Sequence, residues 1–247
     1  MGSKRYGLKR ALGRVEIFAM AFGTMVGWGW LILPAQWIEA AGVAGAIAAF
    51  LVGGIMCVFV GLTYAELTSA FPLAGGELAF SYRGLGYFGA WVTGWTITFA
   101  YISVAAWEGI AFSTAFDYLV PTAKIGYLWN IAGFNVYLSW SLIGIVGAIV
   151  LTILNIIGMK PSAVFQIILV MVMVITGIIY FFGSVAFGKP QYMTPIITDL
   201  KGVGAVLIMA PSMYIGFDMV SKSAEEMNMS LRDIAKVLIF SIACAFS

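Results

Sequence analysis

Ionisable side chains are scarce in this chain, and three of them interrupt long apolar runs: Glu108, Asp218 and Lys222. A carboxylate in such surroundings costs roughly 2.5–3.5 kcal/mol on membrane-insertion scales, so Glu108 should face protein or water rather than lipid. There it can anchor a cationic solute, carry a proton, or bond to a neighbouring helix. Asp218 and Lys222 lie four residues apart and can pair along one helix face, either lining an inner gate or bracing the helix. Other side-chain chemistry is sparse. Histidine is absent, and Cys57 and Cys244 sit in apolar runs where a thiol packs as a small apolar group. No metal site, disulfide framework or cofactor is expected, and acid–base catalysis by histidine is excluded, which argues against an enzyme.

The backbone offers more. Between Phe22 and Pro34 stand Gly23, Gly27 and Gly29, three glycines in seven residues, each costing a helix about 1 kcal/mol relative to alanine. A break there would let amides approach an anion, with a half-helix starting near Gly29 aimed at it. Small residues four apart also let helices touch, and the residues fit either use. The stretch Ala210-Pro211-Ser212-Met213-Tyr214-Ile215-Gly216-Phe217-Asp218 carries a proline that removes a helical hydrogen bond and a glycine shortly after it. Paired interrupted segments are the sequence pointer to a transporter site, and a kink without function is the plainer alternative.

The elements that must position these residues follow from composition. The chain has 62% hydrophobic and 10% charged residues, with a mean hydropathy of +1.01, too few charges to coat a water-soluble core. Crossing the hydrocarbon takes about 20 mostly apolar residues. Six such helices are predicted, at about 15–40, 42–70, 84–118, 134–158, 161–187 and 202–222, after a basic N-terminus at 1–14 and before a partial seventh helix at 231–247. That last run is too short to cross, so the chain is expected to be the first part of a longer protein. Lys4, Arg5, Lys9, Arg10 and Arg14 precede the first span and place the N-terminus in the cytoplasm. Alternation then adds Arg83, Lys160, Lys222, Arg232 and Lys236 inside, against Lys124, Lys189 and Lys201 outside. Tyr87, Trp91, Trp129, Tyr137, Trp140, Tyr180 and Tyr192 sit near span ends as interfacial anchors.

Several stretches resemble signatures of the amino acid permeases of the amino acid, polyamine and organocation (APC) superfamily. They are Gly27-Trp28-Gly29, Tyr64-Ala65-Glu66-Leu67 followed by Phe71-Pro72-Leu73-Ala74-Gly75-Gly76-Glu77, Asn155-Ile156-Ile157-Gly158-Met159-Lys160, and Gly216-Phe217-Asp218 followed by Ala224-Glu225-Glu226-Met227-Asn228. The likeness runs over nearly the whole chain in the family's order. It implies an all-α polytopic bundle with a LeuT-like five-plus-five inverted repeat, of which the first repeat and the start of the second are present. It also implies a secondary transporter that moves amino acids or related small amines across the plasma membrane by alternating access. By the same resemblance, amides at Thr24, Val26, Gly27, Trp28 and Gly29 hold the substrate carboxylate. Carbonyls from Ser212, Met213, Tyr214 and Ile215 hold the amino group, and the Tyr214 ring covers the substrate.

The expected partners are an amino acid or small amine, membrane lipid, and a coupling ion (proton or sodium) or exchanged solute, with no nucleic acid. Some proton-coupled relatives carry a lysine in the fifth span, whereas Leu169 to Val174 contains none, which leaves exchange, facilitated uptake or coupling through Glu108 open. Trp28 and Trp30 are bulkier than the family's common residues; they can narrow the cavity or stack on a cation. The gate residues expected are Tyr214, Asp218 and Lys222. Glu225, Glu226, Arg232 and Asp233 make a solvated, mixed-charge cytoplasmic loop, with gate contacts to Tyr64, Ala65, Glu66 or Arg83 as the sharper alternative. The rivals are a polyamine or ethanolamine exchanger, a non-transporting receptor or assembly fragment, and a channel subunit, which the apolar third to fifth spans disfavour. The topology is testable: a single cysteine at Lys4 should react with an impermeant maleimide only from the cytoplasmic side, and one at Lys189 only from outside.

Overall fold

The computed structural model describes residues 12–27, 29–120, 124–131 and 133–246. Trp28, Lys4, Arg5, Lys9 and Arg10 lie outside them, as do the side chains of Tyr192 and Arg232. The first apolar stretch folds in three pieces: α1 (Arg14–Met25), α2 (Gly29–Ile32) and α3 (Pro34–Ala41). No single helix in it is long enough to cross a bilayer, yet together they run the length of the bundle. Arg14 pairs with Asp233 at 2.6 Å at one end, and the Thr198 N–H donates to the Ala41 carbonyl at 3.2 Å at the other.

Five further segments are long and apolar enough to cross by themselves. They are α4 (Val43–Ala70), α5 (Glu77–Leu119), α6 (Leu138–Ile157), most of α7 (Met159–Phe187), and the stretch 200–222. That stretch joins α8 (Leu200–Met209), a 3-10 turn (Ala210–Tyr214) and α9 (Met219–Lys222); α10 (Leu231–Phe246) follows it. The result is an all-α, multi-pass membrane architecture. α6 and α7 leave most of their Ile, Val, Leu and Phe side chains exposed, a surface that lipid solvates and water does not.

α4 is the central post, and a row of small residues explains why. Gly45, Ala49, Gly53, Cys57, Gly61 and Ala65 recur every four residues along its buried face, and small side chains let helix backbones approach closely. The first half of α4 receives α8, and the second half receives α10. A Cβ on Gly53 would lie 2.9 Å from Ala210 Cβ, and one on Gly61 would lie 2.6 Å from Ile242 Cδ1 and 2.7 Å from Leu238 Cδ2. Ile234, Leu238 and Ile242, spaced by four, form the matching buried ridge of α10. α1 packs on α7 and α10, and α5 packs on α6.

The structure corrects two boundaries. A helix is predicted from 134, but β1 (Tyr127–Ile131) and β2 (Phe134–Tyr137) form an antiparallel hairpin there, and α6 begins at Leu138. Hydropathy sees one apolar window, whereas Tyr, Trp, Ile, Phe and Val at this density favour a strand, and Gly133 takes the positive φ of 89° near the turn. α5 also starts earlier than the span predicted at 84–118, because a helical segment from Glu77 joins it across a kink at Gly86, where φ is 72°.

Overpacking a close-packed position costs about 1–3 kcal/mol, which sets up a direct comparison. Gly61→Val should lower the melting temperature of the detergent-purified protein by several degrees. Gly177→Ala, where a Cβ meets open space, should leave it unchanged or raise it.

Candidate functional site in the gap between two interrupted segments

Helical hydrogen bonding in the first stretch stops with Val26 N–H to the Phe22 carbonyl at 2.9 Å and resumes with Trp30 N–H to the Gly27 carbonyl at 3.2 Å. Gly27 and Gly29 flank the gap, and Trp28 between them lies outside the described residues. In the stretch 200–222, Pro211 lacks the N–H that would continue α8, and the chain tightens into a 3-10 turn that ends at Tyr214. Ile215 then adopts extended backbone and Gly216 a φ of 130°. Each interruption thus has its cause in the local sequence.

The two interruptions meet. The Thr24 hydroxyl lies 3.1 Å from the Gly216 carbonyl, 2.7 Å from that of Met20 and 3.0 Å from that of Ala21; with one proton it donates to one of them at a time. The Trp30 indole N–H lies 3.1 Å from the Met25 carbonyl and 3.4 Å from the Met213 carbonyl, bridging both gaps. A Cβ on Gly216 would stand 2.6 Å from Thr24 Oγ1 and 2.7 Å from the Thr24 carbonyl carbon. Only glycine supplies both that φ and that approach.

α5 forms the facing wall. A Cβ on Gly27 would lie 2.6 Å from Glu108 Oε1, and one on Gly29 would lie 3.1 Å from the Trp107 ring and 3.5 Å from Met213 Sδ. The Glu108 carboxyl therefore faces the first gap, as an acid seated in protein rather than in lipid. Behind the gaps, Trp30 packs against Trp37, Phe50 and Tyr214 with ring centroids 5.2–6.2 Å apart. Tyr214 is fully buried, and its hydroxyl donates to the Phe50 carbonyl at 3.1 Å. Its ring belongs to this aromatic cluster in the conformation seen here. Ser212 donates to the Met209 carbonyl at 2.6 Å, and Ile215 N–H to the Ser212 carbonyl at 3.4 Å.

A second polar group sits at the Arg14 end of the same segment. Asp218 is 9% exposed and accepts from Lys222 at 2.5 Å and from the Tyr101 hydroxyl of α5. Lys222 also lies 3.6 Å from Glu77 Oε1 and 3.9 Å from the centroid of the Tyr101 ring. Tyr64 packs edge-on against Phe217 and Phe80 and interacts with Glu77. Asp218 and Lys222 thus pair along one face and also tie three helices together. Arg83 is elsewhere, 5.4 Å over the Phe71 ring, and Glu66 is exposed. In the mixed-charge loop, Asp233 turns to Arg14 and to the Ser230 hydroxyl at 2.7 Å. Of the aromatic residues near span ends, Tyr87, Trp91, Trp129 and Tyr180 are exposed, while Tyr137 and Trp140 are half-buried.

Sequence reasoning located both gaps, Glu108 and the Asp218–Lys222 pair. It missed the partners Glu77, Tyr101 and Trp107 and the bridging role of Trp30. Glu77 stands at the end of a singled-out stretch, which was its only signal; Tyr101 and Trp107 look like ordinary residues of an apolar span.

Comparison with known proteins identifies the family. The family profile described as amino acid permease matches residues 12–246. The chain is 28% identical over 243 residues to the branched-chain amino acid permease BcaP of Bacillus subtilis, covering 95% of this chain and 52% of that protein. It is 25% identical over 257 residues to the methylthioribose transporter of the same organism, covering 98% and 53%. It is 28% identical over 247 residues to the vacuolar cationic amino acid transporter 4 of Arabidopsis thaliana, covering 92% and 39%. The chain spans about half the length of the first two of these relatives. Their names describe permeases and transporters, not enzymes. With two interrupted segments meeting inside an apolar helical bundle and the profile matching almost end to end, the chain belongs to the amino acid permease family of the APC superfamily.

Proposed function

We propose that this chain forms the substrate-holding part of a secondary transporter that carries amino acids or related small amines across the plasma membrane by alternating access, with its N-terminus in the cytoplasm. The chain would supply the first repeat, and the start of the second, of a LeuT-like five-plus-five arrangement. One observation carries the reading: the two interrupted segments touch at Thr24 and Gly216 and are bridged by Trp30 to Met213. Backbone freed in lipid must find partners, and a solute with both a carboxylate and an ammonium group matches an amide-lined gap facing a carbonyl-lined one.

In this proposal the amides at Thr24, Val26, Gly27, Trp28 and Gly29 receive the carboxylate, and the carbonyls from Ser212 to Ile215 receive the amine. Tyr214 swings out of its aromatic cluster to cover the solute. Asp218 and Lys222 close the cytoplasmic side. Glu108 carries the charge or proton that couples solute binding to the gap. A second reading rests on that same side chain. An acid facing Gly27 repels a substrate carboxylate unless it is protonated, which favours an amine without a carboxylate, of the polyamine or ethanolamine kind. The relatives are named for branched-chain amino acids, cationic amino acids and methylthioribose, so the site rather than family membership sets the solute.

Uptake of labelled amino acids into proteoliposomes holding the native gene product should be saturable and stereospecific. Competition by polyamines or ethanolamine, with none by amino acids, would favour the second reading, and no flux of either class would defeat both. Glu108→Gln should slow uptake and flatten its dependence on pH; an unchanged pH profile would remove Glu108 from coupling. Gly216→Ala forces a side chain into a backbone region that costs about 1–3 kcal/mol. It should reduce flux about tenfold or more in protein that still reaches the membrane.

A further inference from the structure

The polar group around Asp218 has a composition that a plain ion pair does not need. Two carboxyls, from Glu77 and Asp218, share one ammonium group, that of Lys222, at 3.6 and 2.5 Å. Their oxygens therefore stand no more than about 6 Å apart, close enough for like charges to oppose each other's ionisation. The titratable and charged groups that face Glu77 are Tyr64 from α4, Tyr101 from its own helix, and Asp218 and Lys222 from the stretch 200–222. Among the described residues, no second cation stands with them.

The hydrogen bonds are distributed unequally. Asp218 Oδ2 accepts from both Lys222 and Tyr101. Glu77 Oε2, by contrast, is buried with no hydrogen-bond partner. An ionised carboxylate oxygen in that state is costly. A protonated carboxyl is a donor, and the Asp218 carboxyl stands on the same Lys222 ammonium group beside it. Thr68 Oγ1 and Ser223 Oγ are likewise buried without hydrogen-bond partners. Thr68 follows Tyr64 by one turn on α4, and Ser223 adjoins Lys222. Polar atoms left so at one end of a bundle suit water that enters when the group parts. The backbone turns just before Glu77, where Gly75 and Gly76 hold φ values of 117° and 44°. A Cβ on Gly76 would lie 2.5 Å from Ser221 Oγ and 3.4 Å from Lys222 Cγ.

We propose that Glu77 is a proton site that latches the cytoplasmic gate. With its proton, the group is neutral overall and Glu77 donates to Asp218, so α4, α5 and the stretch 200–222 stay joined. Without it, one negative charge is left uncompensated among buried residues, and the contact opens to water. Low cytoplasmic pH therefore holds the gate closed, and high pH releases it. This rests on the transporter reading above for its role, but not for its existence.

The test separates the two. Ser223→Cys, in a background with Cys57 and Cys244 replaced by alanine, reports access to the gate by maleimide labelling of the native gene product in inside-out membranes. Labelling should be several-fold faster at pH 8 than at pH 5.5, after correction with a cysteine on the exposed N-terminus. Glu77→Gln, which keeps the donor and cannot ionise, should label slowly at both, while Glu77→Asp should restore the pH dependence. Solute binding measured by thermal shift should persist in Glu77→Gln, which shows that the protein is folded. Labelling independent of pH in the wild-type gate, or unchanged pH dependence in Glu77→Gln, would overturn the latch even where amino acid flux is normal. A pH-dependent, Glu77-dependent gate in a protein that moves no solute would sustain the latch and overturn the transporter reading instead.

Discussion

In hydrocarbon, a backbone amide or carbonyl without a partner costs several kcal/mol, and much in this bundle follows from meeting that demand at two places where helices are broken. The first stretch is interrupted around Gly27 and Gly29, and the stretch 200–222 around Pro211 and Gly216. Neither interruption would persist beside lipid. Each is placed against the other instead, with the Thr24 hydroxyl reaching the Gly216 carbonyl and the Trp30 indole reaching those of Met25 and Met213. Protein rather than lipid faces the gap, with Glu108 and Trp107 of α5 standing against Gly27 and Gly29.

Bringing two broken segments together requires their neighbours to come close as well. α4 accomplishes this with its row of small residues, which admits α8 along one half and α10 along the other at distances that no side chain at Gly53 or Gly61 would allow. The aromatic cluster of Trp30, Trp37, Phe50 and Tyr214 fills the space where α4 meets the gaps. Packing here is both the source of affinity between helices, through van der Waals contact, and the device that sets where backbone groups emerge.

Charge is handled by location. Glu108 is carried on α5 to the first gap, where the protein shields it from lipid, and the remaining buried charges gather at the Arg14 end around Asp218. That second group ties α4, α5 and the stretch 200–222 through Tyr64, Glu77, Tyr101 and Lys222. The charges at the first gap and around Asp218 thus stand against protein, with α5 contributing to both groups. The remaining salt bridges, such as Arg14 to Asp233, lie at exposed ends, where they contribute little to stability.

Much of this was legible from residue types alone. Apolar length marked the spans, because hydrocarbon thickness sets it. Glycine and proline marked both interruptions, because they act on the backbone of their own segment. Glu108 marked itself by cost. Hydropathy failed at 127–137, where apolarity is shared by strand and helix and only the aromatic and β-branched content hints at a hairpin. Which groups face one another could not be read in the same way. That Trp30 bridges the gaps, that Tyr214 packs inward against Phe50, and that Glu77 and Tyr101 join Asp218 and Lys222 depend on contacts across 117 to 183 positions of chain. Local sequence determined where the backbone breaks and where charge is buried; the tertiary structure decided what each break and each charge meets, because those partners are brought together by helix packing and by no feature of their own neighbourhoods.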